Sequence, residues 1–513
     1  MRLGLYRITF PALVVALFGT AVATQETSDK PLSVIDWLGT QAPTARPRPA
    51  APNEPAIAKT ALAPVIEVKP LGVGAPRQIG LVPTGVTGLP DTIWVGSNPD
   101  RLTTLIRKLP DLNLPAAQSL LYTVLLAEAR APALDSAAGD ALALVRVEAL
   151  MERGALDPAL SLIEQAGVTT SAAHFDLWMQ ISLLTGQEDR ACAVLTSAPH
   201  LTHDYDTRIF CAVRARQWEN AALTLGSAQA LGLLPEWKLD LLDRFLNPDV
   251  FEGADPLPAP RRMDPLSFRL FETIGEPMPT GNLPRAYAVA DLRDLAGWKS
   301  QLEAAERLTR AGALPDNRLL GLYTDRRPAA SGGIWDRVKA LQQFEVALNT
   351  GSPEAIAKTL PVVWRAMQDA DLEMAFVGLF ADPLAAIALE GTAATIAQNI
   401  AFLSSDYEAA ARRADTDTLI SGIARGQMPA KRPGTAQGAA IHDAFNGATP
   451  RADLVASVQQ QRLGETILHL IELLHRGALG DANALRDALA TLRAIGLEDT
   501  ARRAALQILL LRT

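Results

Sequence analysis

The sequence contains no block of lysines or arginines beyond its N-terminus, and acidic residues outnumber basic ones by 56 to 48. A protein that binds nucleic acid needs a basic stripe to neutralise phosphates, so we expect no nucleic-acid partner. Cysteine is also scarce, because Cys192 and Cys211 are the only two in the chain. Any disulfide, thiol nucleophile or thiolate metal site must therefore involve the short segment that carries them.

Motifs for catalysis are missing as well. The chain has no Gly-rich phosphate loop and no G-x-S-x-G motif. His469 and His475 are six residues apart, so they do not share a helix face as the histidines of an H-E-x-x-H zinc site do. No carboxylate pair stands in a context typical of a general acid and base. We therefore expect no enzymatic activity, no cofactor and no metal.

The N-terminus has the pattern of an export signal. A short cationic stretch, MRLGLYR, precedes an uncharged apolar run from Ile8 to Ala23 that ends in an A-x-A cleavage pattern. This predicts a signal peptide over residues 1–23, and an uncleaved anchor is the alternative. No cysteine follows the run, which excludes a bacterial lipid anchor. We expect a periplasmic or secreted protein without a stable membrane span.

The two cysteines flank two histidines in the pattern Cys192-x7-His200-x2-His203-x7-Cys211. We expect one helix to end near Ser197 to Pro199 and the next to begin near Asp204, which places both cysteines at the same height of a helix hairpin. Each histidine lies eight residues from the nearest cysteine, about 12 Å along a helix, too far for convergence on one zinc ion. Export favours a disulfide, while two free thiols, a zinc site or a nucleophile are the alternatives.

Residues 24–95 have the composition of a disordered tether. Ten prolines fall between Gln41 and Val95 among alanines and few charges, which favours extended chain over packing. The segment PLSVIDWLG, residues 31–39, is an exception because Ile35, Trp37 and Leu38 form a short apolar motif. It is either a strap that packs on its own domain or a linear motif for a partner.

From Asn98 onward apolar residues recur with the period of a helix, and we find no set of alternating strands. Three predicted helix starts place a capping side chain before a proline: Asn98-Pro99, Asp157-Pro158 and Ser352-Pro353. The chain is therefore predicted to be all-α. A proline-rich connection over residues 249–262 separates a predicted N-terminal helical-repeat domain, 96–248, from a C-terminal helical domain, 263–513.

Three segments within residues 137–232 repeat a helix, turn, helix pattern. Small residues recur 31 or 32 residues apart at Ala159, Ala191 and Ala222, and each is followed by a predicted core position, namely Leu160, Cys192 and Leu223. These units resemble tetratricopeptide repeats, although they are shorter than 34 residues and lack the aromatic spacing of that family. The resemblance implies an α-solenoid of antiparallel helix pairs and carries no functional residues.

The segments DPLSFRLFETIGEPMPT and NRLLGLYTDRRPAASGGIWDRV, with PLSVIDWLG, resemble a group of exported alphaproteobacterial proteins. Some members of this group carry the automatic name antifreeze glycopeptide polyprotein. The resemblance covers most of the chain and implies no established activity. The regular threonine array expected for ice binding does not occur in this sequence.

One segment departs from a plain helical repeat, LGLYTDRRPAASGGIWDRV. It gathers two aromatic residues and three arginines around a Ser-Gly-Gly turn before a helix start: Tyr323, Arg326, Arg327, Trp335 and Arg337. Such a group is typical of a site for a carboxylate, a phosphate, a sugar ring or an acidic partner tail. In the alternative interpretation, Trp335 packs in the core and the arginines stay solvated or pair with Asp325 and Asp336.

These features together predict an exported α-solenoid that acts as a protein-protein interaction scaffold in the bacterial cell envelope. Its partners would be envelope proteins held on a concave helical surface. A protein that binds or acts on peptidoglycan or another glycan through the region of Trp335 is the alternative. A membrane-held spacer is a third, and it requires an uncleaved N-terminus.

Overall fold

The structure is a computed structural model that describes residues 78–132, 136–293, 295–414 and 418–511, with only the backbone described for 136–138. The predicted signal peptide, most of the predicted tether, and the motif of Ile35, Trp37 and Leu38 lie outside these residues. The described residues all belong to one compact unit.

The described residues form 25 α-helices and two short strands, which confirms the all-α prediction. The strands are β1 (Gln78–Ile79) and β2 (Ala129–Arg130), which pair antiparallel. The helices of the first half are α1 (Thr84–Thr87), α2 (Pro99–Lys108), α3 (Pro115–Leu126), α4 (Ser136–Glu152), α5 (Leu156–Ala166), α6 (Ala172–Thr185), α7 (Glu188–Ser197), α8 (Tyr205–Arg214), α9 (Trp218–Ala230), α10 (Glu236–Leu246) and α11 (Pro265–Thr273).

The second half contains fourteen of these helices within the described residues. They are α12 (Ala288–Asp291), α13 (Trp298–Arg310), α14 (Asp316–Asp325), α15 (Ile334–Thr350), α16 (Pro353–Gln368), α17 (Glu373–Ala385), α18 (Gly391–Leu403), α19 (Tyr407–Ala414), α20 (Leu419–Arg425), α21 (Ala436–Phe445), α22 (Ala452–Gln459), α23 (Leu463–Ala478), α24 (Ala482–Ala494) and α25 (Glu498–Leu510). Most consecutive helices pack against each other, as expected for stacked helix pairs.

Two of the three predicted helix starts are confirmed by their capping bonds. The side chain of Asn98 accepts a hydrogen bond from the backbone N–H of Arg101 at 3.0 Å. Ser352 caps α16 in the same way, through the N–H of Ala355 at 3.3 Å. The third start is wrong, because α5 begins at Leu156 and Asp157 lies within its first turn. The backbone N–H of Ala159 already bonds to the carbonyl of Ala155, so Asp157 is not the capping residue.

The repeat pattern holds in two units and fails in the third. Ala159 and Ala191 are fully buried, as the pattern predicts. In α9, however, Ala221 is buried in place of Ala222, and Leu223 is 71% exposed. A shift of one residue turns a helix face by about 100°, so the predicted core residues of this unit face water.

The folded body begins earlier than the sequence predicts. Residues 78–95 were expected to belong to the tether, but Ile93 and Trp94 are completely buried and Ile79 is 5% exposed. These large apolar side chains give the segment enough buried surface to overcome the effect of its prolines and glycines. The start of the helical body at residue 96 is therefore corrected to Gln78, where β1 begins.

The beginning of this body packs against its end. The backbone N–H of Gly96 donates to the carbonyl of Gln461 at 3.0 Å, and that of Gly464 donates to the carbonyl of Ile93 at 2.8 Å. The ring of Trp94 lies directly over Gly464, where even one methyl group would collide with it. Residues 78–130 therefore pack against the C-terminal helices, so the beginning and the end of the helical stack contact each other.

The buried apolar residues form two clusters. The first joins residues 79–290 to residues 402–508, and the second lies within residues 288–403. The segment 249–262, predicted as a connection between two domains, runs between α10 and α11 with a 3₁₀ turn, Pro248–Phe251. The first core nevertheless continues across it, because α11 packs on both α6 and α10.

Candidate functional site

The predicted disulfide is confirmed. Cys192 on α7 and Cys211 on α8 are bonded, with their Cα atoms 4.8 Å apart. Helix α7 ends at Ser197 and α8 begins at Tyr205, so the helix hairpin brings the two residues to the same height. His200 and His203 between them are exposed on the connecting turn.

Two of the predicted ligand-binding residues are bound to a buried carboxylate. The hydroxyl of Tyr323, which is fully buried, donates a hydrogen bond to Oε1 of Glu306 at 2.6 Å. The guanidinium of Arg337 reaches both oxygens of Glu306, with Nε at 2.8 Å from Oε1 and Nη2 at 2.7 Å from Oε2. Arg310 adds a contact to Oε2 at 3.1 Å. We call these four residues the Glu306 cluster.

The Glu306 cluster holds three helices together, because its members lie on α13, α14 and α15. Burial and the adjacent Glu306 carboxylate raise the pKa of Tyr323 well above its usual range. Charge-assisted bonds in a buried setting are strong, so Tyr323 and Arg337 have few remaining donors for a ligand. Their arrangement is typical of a structural ion cluster.

The other three predicted residues are half-buried or exposed. Trp335 is half-buried, with its ring 5.1 Å from that of Trp298. Arg326 is exposed and pairs with Asp325 at 2.9 Å, and Arg327 is exposed beside it. The structure thus brings Tyr323 and Arg337 together and leaves Arg326 and Arg327 in solvent. Binding by these five residues stays a prediction.

A large concavity among the described residues lies elsewhere. It is a cleft of about 980 Å³, a size typical of ligand sites. Its walls come from parts of the chain that are far apart in sequence: Val82–Thr87, the loop at residues 111–113, α3, the end of α13 with the start of α14, α17, the end of α18, and α25. We call this concavity the cleft.

Hydrogen bonds fix the wall that α3 contributes to the cleft. The hydroxyl of Tyr122 donates to the carbonyl of Ala311 at 2.8 Å, and burial raises the pKa of this tyrosine to about 12. The side-chain amide of Gln118 donates to the carbonyls of Leu112 and Arg310. These bonds join α3 to the end of α13, so the cleft has a rigid side.

The cationic side chains of the cleft already have partners. Arg285 forms an ion pair with Asp111, with Nη1 and Oδ1 at 2.9 Å, and this contact holds the pKa of Asp111 below its usual value. Arg310 donates to the carbonyl of Ala370 at 2.7 Å, and Arg503 bonds to Asp499 at 2.7 Å. Little positive charge is therefore left to attract an acidic ligand.

Three aspartates of the cleft have no such partner. Asp316, Asp371 and Asp382 all line it, and none forms a hydrogen bond or ion pair through its carboxylate within the described residues. Asp316, the first residue of α14, is half-buried against Gly378. A helix N-terminus favours a carboxylate, yet burial raises the pKa of Asp316 to about 6. The cleft consequently presents uncompensated negative charge.

A second concavity, of about 810 Å³, lies beside the disulfide. Its apolar lining includes Cys192, Val213, Phe245 and Ile274. Trp218 also lines this concavity, and 52% of the surface of Trp218 is exposed. The charged residues of the lining are three arginines and one aspartate: Arg214, Arg216, Arg244 and Asp189. We call it the disulfide groove.

No protein-family model matches the chain, and neither a curated protein nor a solved structure matched it. Within the described ranges, no helix is both long and apolar enough to cross a membrane. The same residues include no group of three or more histidine, cysteine, aspartate and glutamate side chains that could hold a metal ion. The cleft escaped prediction from sequence because its lining is spread from Val82 to Leu511.

Proposed function

We propose that this protein is an exported α-solenoid scaffold of the bacterial cell envelope, and that it binds an extended segment of a partner protein in the cleft. The observation that carries the proposal is the cleft itself, a preformed concavity built from the first, middle and last helices of the body. Stacked helix pairs use such concave surfaces to hold extended segments.

The charges of the cleft favour a particular kind of segment. Asp316, Asp371 and Asp382 lack cationic partners among the described residues, whereas the arginines of the cleft are engaged. A partner segment that carries lysine or arginine would supply the missing charge, and an acidic segment would be repelled. The proposed partner chemistry is thus opposite to that predicted from Arg326 and Arg327.

Export is part of the proposal and has its own support. The cationic stretch and apolar run of residues 1–23 have the pattern of a signal peptide. A disulfide, which forms and persists mainly in oxidising compartments, is compatible with such a location. N-terminal sequencing of the protein recovered from the periplasm tests this part, and a chain that retains residues 1–23 would favour the membrane-held spacer.

A photo-crosslinking amino acid placed in the cleft tests the binding site. Ser119 is exposed on α3 in the cleft, and Ser161 is an exposed serine on α5 outside it, so the two positions form a matched pair. We expect envelope proteins to cross-link from position 119 and not from position 161. Equal cross-linking from both positions would contradict the assignment of the cleft.

Charge reversal tests the chemistry of the partner. Asp382 on α17 and Asp240 on α10 are both exposed aspartates within helices, but only Asp382 lines the cleft. Asp382→Lys should reduce the yield of the cross-linked partner from position 119, while Asp240→Lys should leave the yield unchanged. An increased yield with Asp382→Lys would indicate an acidic partner segment instead.

One observation favours a second candidate function, action on a cell-wall glycan. Asp316 combines a position in the cleft with a pKa of about 6, a value that suits a general acid for glycosidic bond cleavage. Incubation with purified cell wall, followed by analysis of soluble fragments, tests this candidate. Release that is lost in Asp316→Asn and kept in Asp382→Asn would support it, and no release from the wild-type protein would exclude it.

A further inference from the structure

A small recess lies beside the cleft, where the loop at residues 111–112, α3 and the end of α4 meet. Its volume is about 10 Å³, close to the smallest space that admits one water-sized occupant. It shares most of its lining with the cleft, including Asp111, Tyr122 and Arg285. Arg153, which directly follows α4, lines the recess and does not line the cleft. We call this space the recess.

Arg153 is a buried cation that forms no ion pair with any of the described residues. Only 9% of its surface is exposed. A guanidinium has five N–H donors, and within the part of the chain that the structure describes Arg153 makes one hydrogen bond, from Nη1 to the carbonyl of Ala149 at 3.0 Å. Buried charges are normally paired, so we expect this guanidinium to have a partner that the described residues do not supply.

The acidic residues near Arg153 are engaged elsewhere or face water. Both oxygens of Asp111 accept hydrogen bonds from Arg285, and Glu152 is exposed and does not line the recess. The side chain of Arg285 passes close to Gly154, where an added methyl group would lie 3.1 Å from the Cγ atom of the arginine. Burial lowers the pKa of Arg153, and the charge of Arg285 lowers it further, yet a guanidinium stays protonated at physiological pH. Two guanidinium groups and one carboxylate therefore line the recess, which leaves one positive charge in excess.

A third guanidinium adds to the positive charge of this region. Arg307 on α13 donates to the carbonyl of Thr280 at 3.0 Å and to that of Leu283 at 2.6 Å, and it forms no ion pair within the described ranges. Burial and the neighbouring charge of Arg285 lower the pKa of Arg307. The surroundings of the recess therefore favour an anion over a neutral or cationic occupant.

We propose that the recess binds one chloride ion, held by the guanidinium of Arg153 with Arg285 beside it. A monatomic anion supplies the missing negative charge and suits a space that is too small for a phosphate or an amino-acid side chain. A water molecule would also fit, but it would leave the charge of Arg153 uncompensated. The bound ion would join the end of α4 to α3, which forms one wall of the cleft. The proposal does not depend on the partner proposed for the cleft.

Thermal unfolding of the full-length protein tests the proposal, with chloride replacing the larger anion gluconate at constant sodium concentration. Because chloride would bind only the folded protein, the melting temperature should rise by roughly 1–2 °C for each tenfold increase in chloride above its dissociation constant. Arg153→Met should abolish this rise, and Arg153→Lys, which keeps a positive charge, should retain part of it. Arg107→Met removes an exposed arginine outside the recess and should preserve the full rise.

Crystals of the wild-type protein grown in sodium bromide provide a second measurement, which decides even where Arg153→Met does not fold. We expect an anomalous bromide peak in the recess, in contact with the guanidinium of Arg153. A water molecule in the recess without bromide, a melting temperature that does not rise with chloride, or a rise that Arg153→Met preserves would each overturn the proposal. A bromide peak without the rise in melting temperature would indicate an adventitious ion only and would overturn it as well.

Discussion

The cleft and the disulfide groove are built on the same helical framework but carry opposite unpaired charge. Within the part of the chain that the structure describes, the arginines of the cleft are engaged and three of its aspartates have no partner, whereas the exposed Arg216 at the groove forms no ion pair. The two concavities also differ in origin. Five consecutive helices, α7 to α11, contribute residues to the groove. The cleft is lined instead by elements from the beginning, the middle and the end of the described chain. One chain can therefore offer two sites with different ligand chemistry.

The two concavities also rely on different stabilising contacts. A covalent bond between α7 and α8 fixes the groove. Buried charged groups hold the walls of the cleft: Arg146 attaches the β1 segment to α3 and α4, and the Glu306 cluster joins α13, α14 and α15. Changes to these supports should therefore affect one concavity and spare the other.

Replacement of Arg146 should have the largest effect. Its guanidinium is completely buried and donates to the carbonyls of Leu125, Ile79 and Ala127 at 2.6 to 2.9 Å. Arg146→Met leaves three buried carbonyls without donors, which should lower the free energy of unfolding by about 3 kcal/mol or more. Urea unfolding of the variant measures this loss.

The control for this prediction is Arg107→Met, which removes an exposed arginine paired with Glu148 and should cost about 0.5 kcal/mol or less. Cross-linking from position 119 in the cleft should fall with Arg146→Met, because Val82 and Leu126 line the cleft next to the lost bonds. Equal stability of the two variants would show that the buried arginine is replaceable.

Loss of the disulfide should weaken the groove and spare the cleft. Cys192→Ala combined with Cys211→Ala opens a link between residues 19 positions apart, and the chain-entropy model gives about 3 kcal/mol for a loop of this size. We expect a lower urea midpoint in this variant and an equal decrease when the wild-type protein is reduced with dithiothreitol. Two free thiols in protein isolated from the periplasm would contradict the assignment.

Glu306→Gln should weaken the packing of α13, α14 and α15 and destabilise the protein by about 2 kcal/mol. The substitution removes the charge that Arg337 and Tyr323 share in a buried position. Glu303→Gln, on the same helix, is the matched control, because Glu303 is exposed and its ion pair is with the exposed Lys299. A thermal unfolding comparison of the two variants is sufficient, and similar melting temperatures would show that the Glu306 cluster contributes little.

Features with a local signal could be predicted from the sequence. Periodic apolar residues predict the helices, Asn98 and Ser352 indicate two of the helix starts, and the equal distances of Cys192 and Cys211 from one turn predict the disulfide. Each of these depends on residues within about two turns or one hairpin of each other.

The sites that depend on long-range packing could not be predicted in this way. The sequence predicts Tyr323 and Arg337 as binding residues. Glu306, which binds both, lies 17 residues from Tyr323 and 31 residues from Arg337, on a helix with an ordinary amphipathic sequence. The sequence around Asp316 is likewise that of an ordinary aspartate in the first turn of a helix, and it gives no sign of a site. Only the approach of α17, through Gly378, makes it half-buried in the cleft.

The smallest predicted effect is a dependence of stability on pH that arises from Asp316. Burial raises its folded-state pKa to about 6 from 3.8, so the folded protein binds this proton more tightly than the unfolded chain. The carboxylate therefore costs stability that appears as the pH rises from about 4 to 6 and persists above that range. Asp316→Asn should remove this cost and stabilise the protein at pH 7.5 by less than about 1 kcal/mol, since the half-buried group is partly screened by water.

The gain from Asp316→Asn should become much smaller near pH 4, where Asp316 is protonated in the folded protein and partly protonated in the unfolded chain, whose pKa is 3.8. Asp382→Asn, at an exposed aspartate of the same cleft, serves as the matched control substitution. Urea midpoints of the three proteins at pH 4, 6 and 7.5 test this. If Asp316→Asn stabilised the protein equally at all three pH values, the effect would come from packing against Gly378, and the raised pKa of Asp316 would not be its cause.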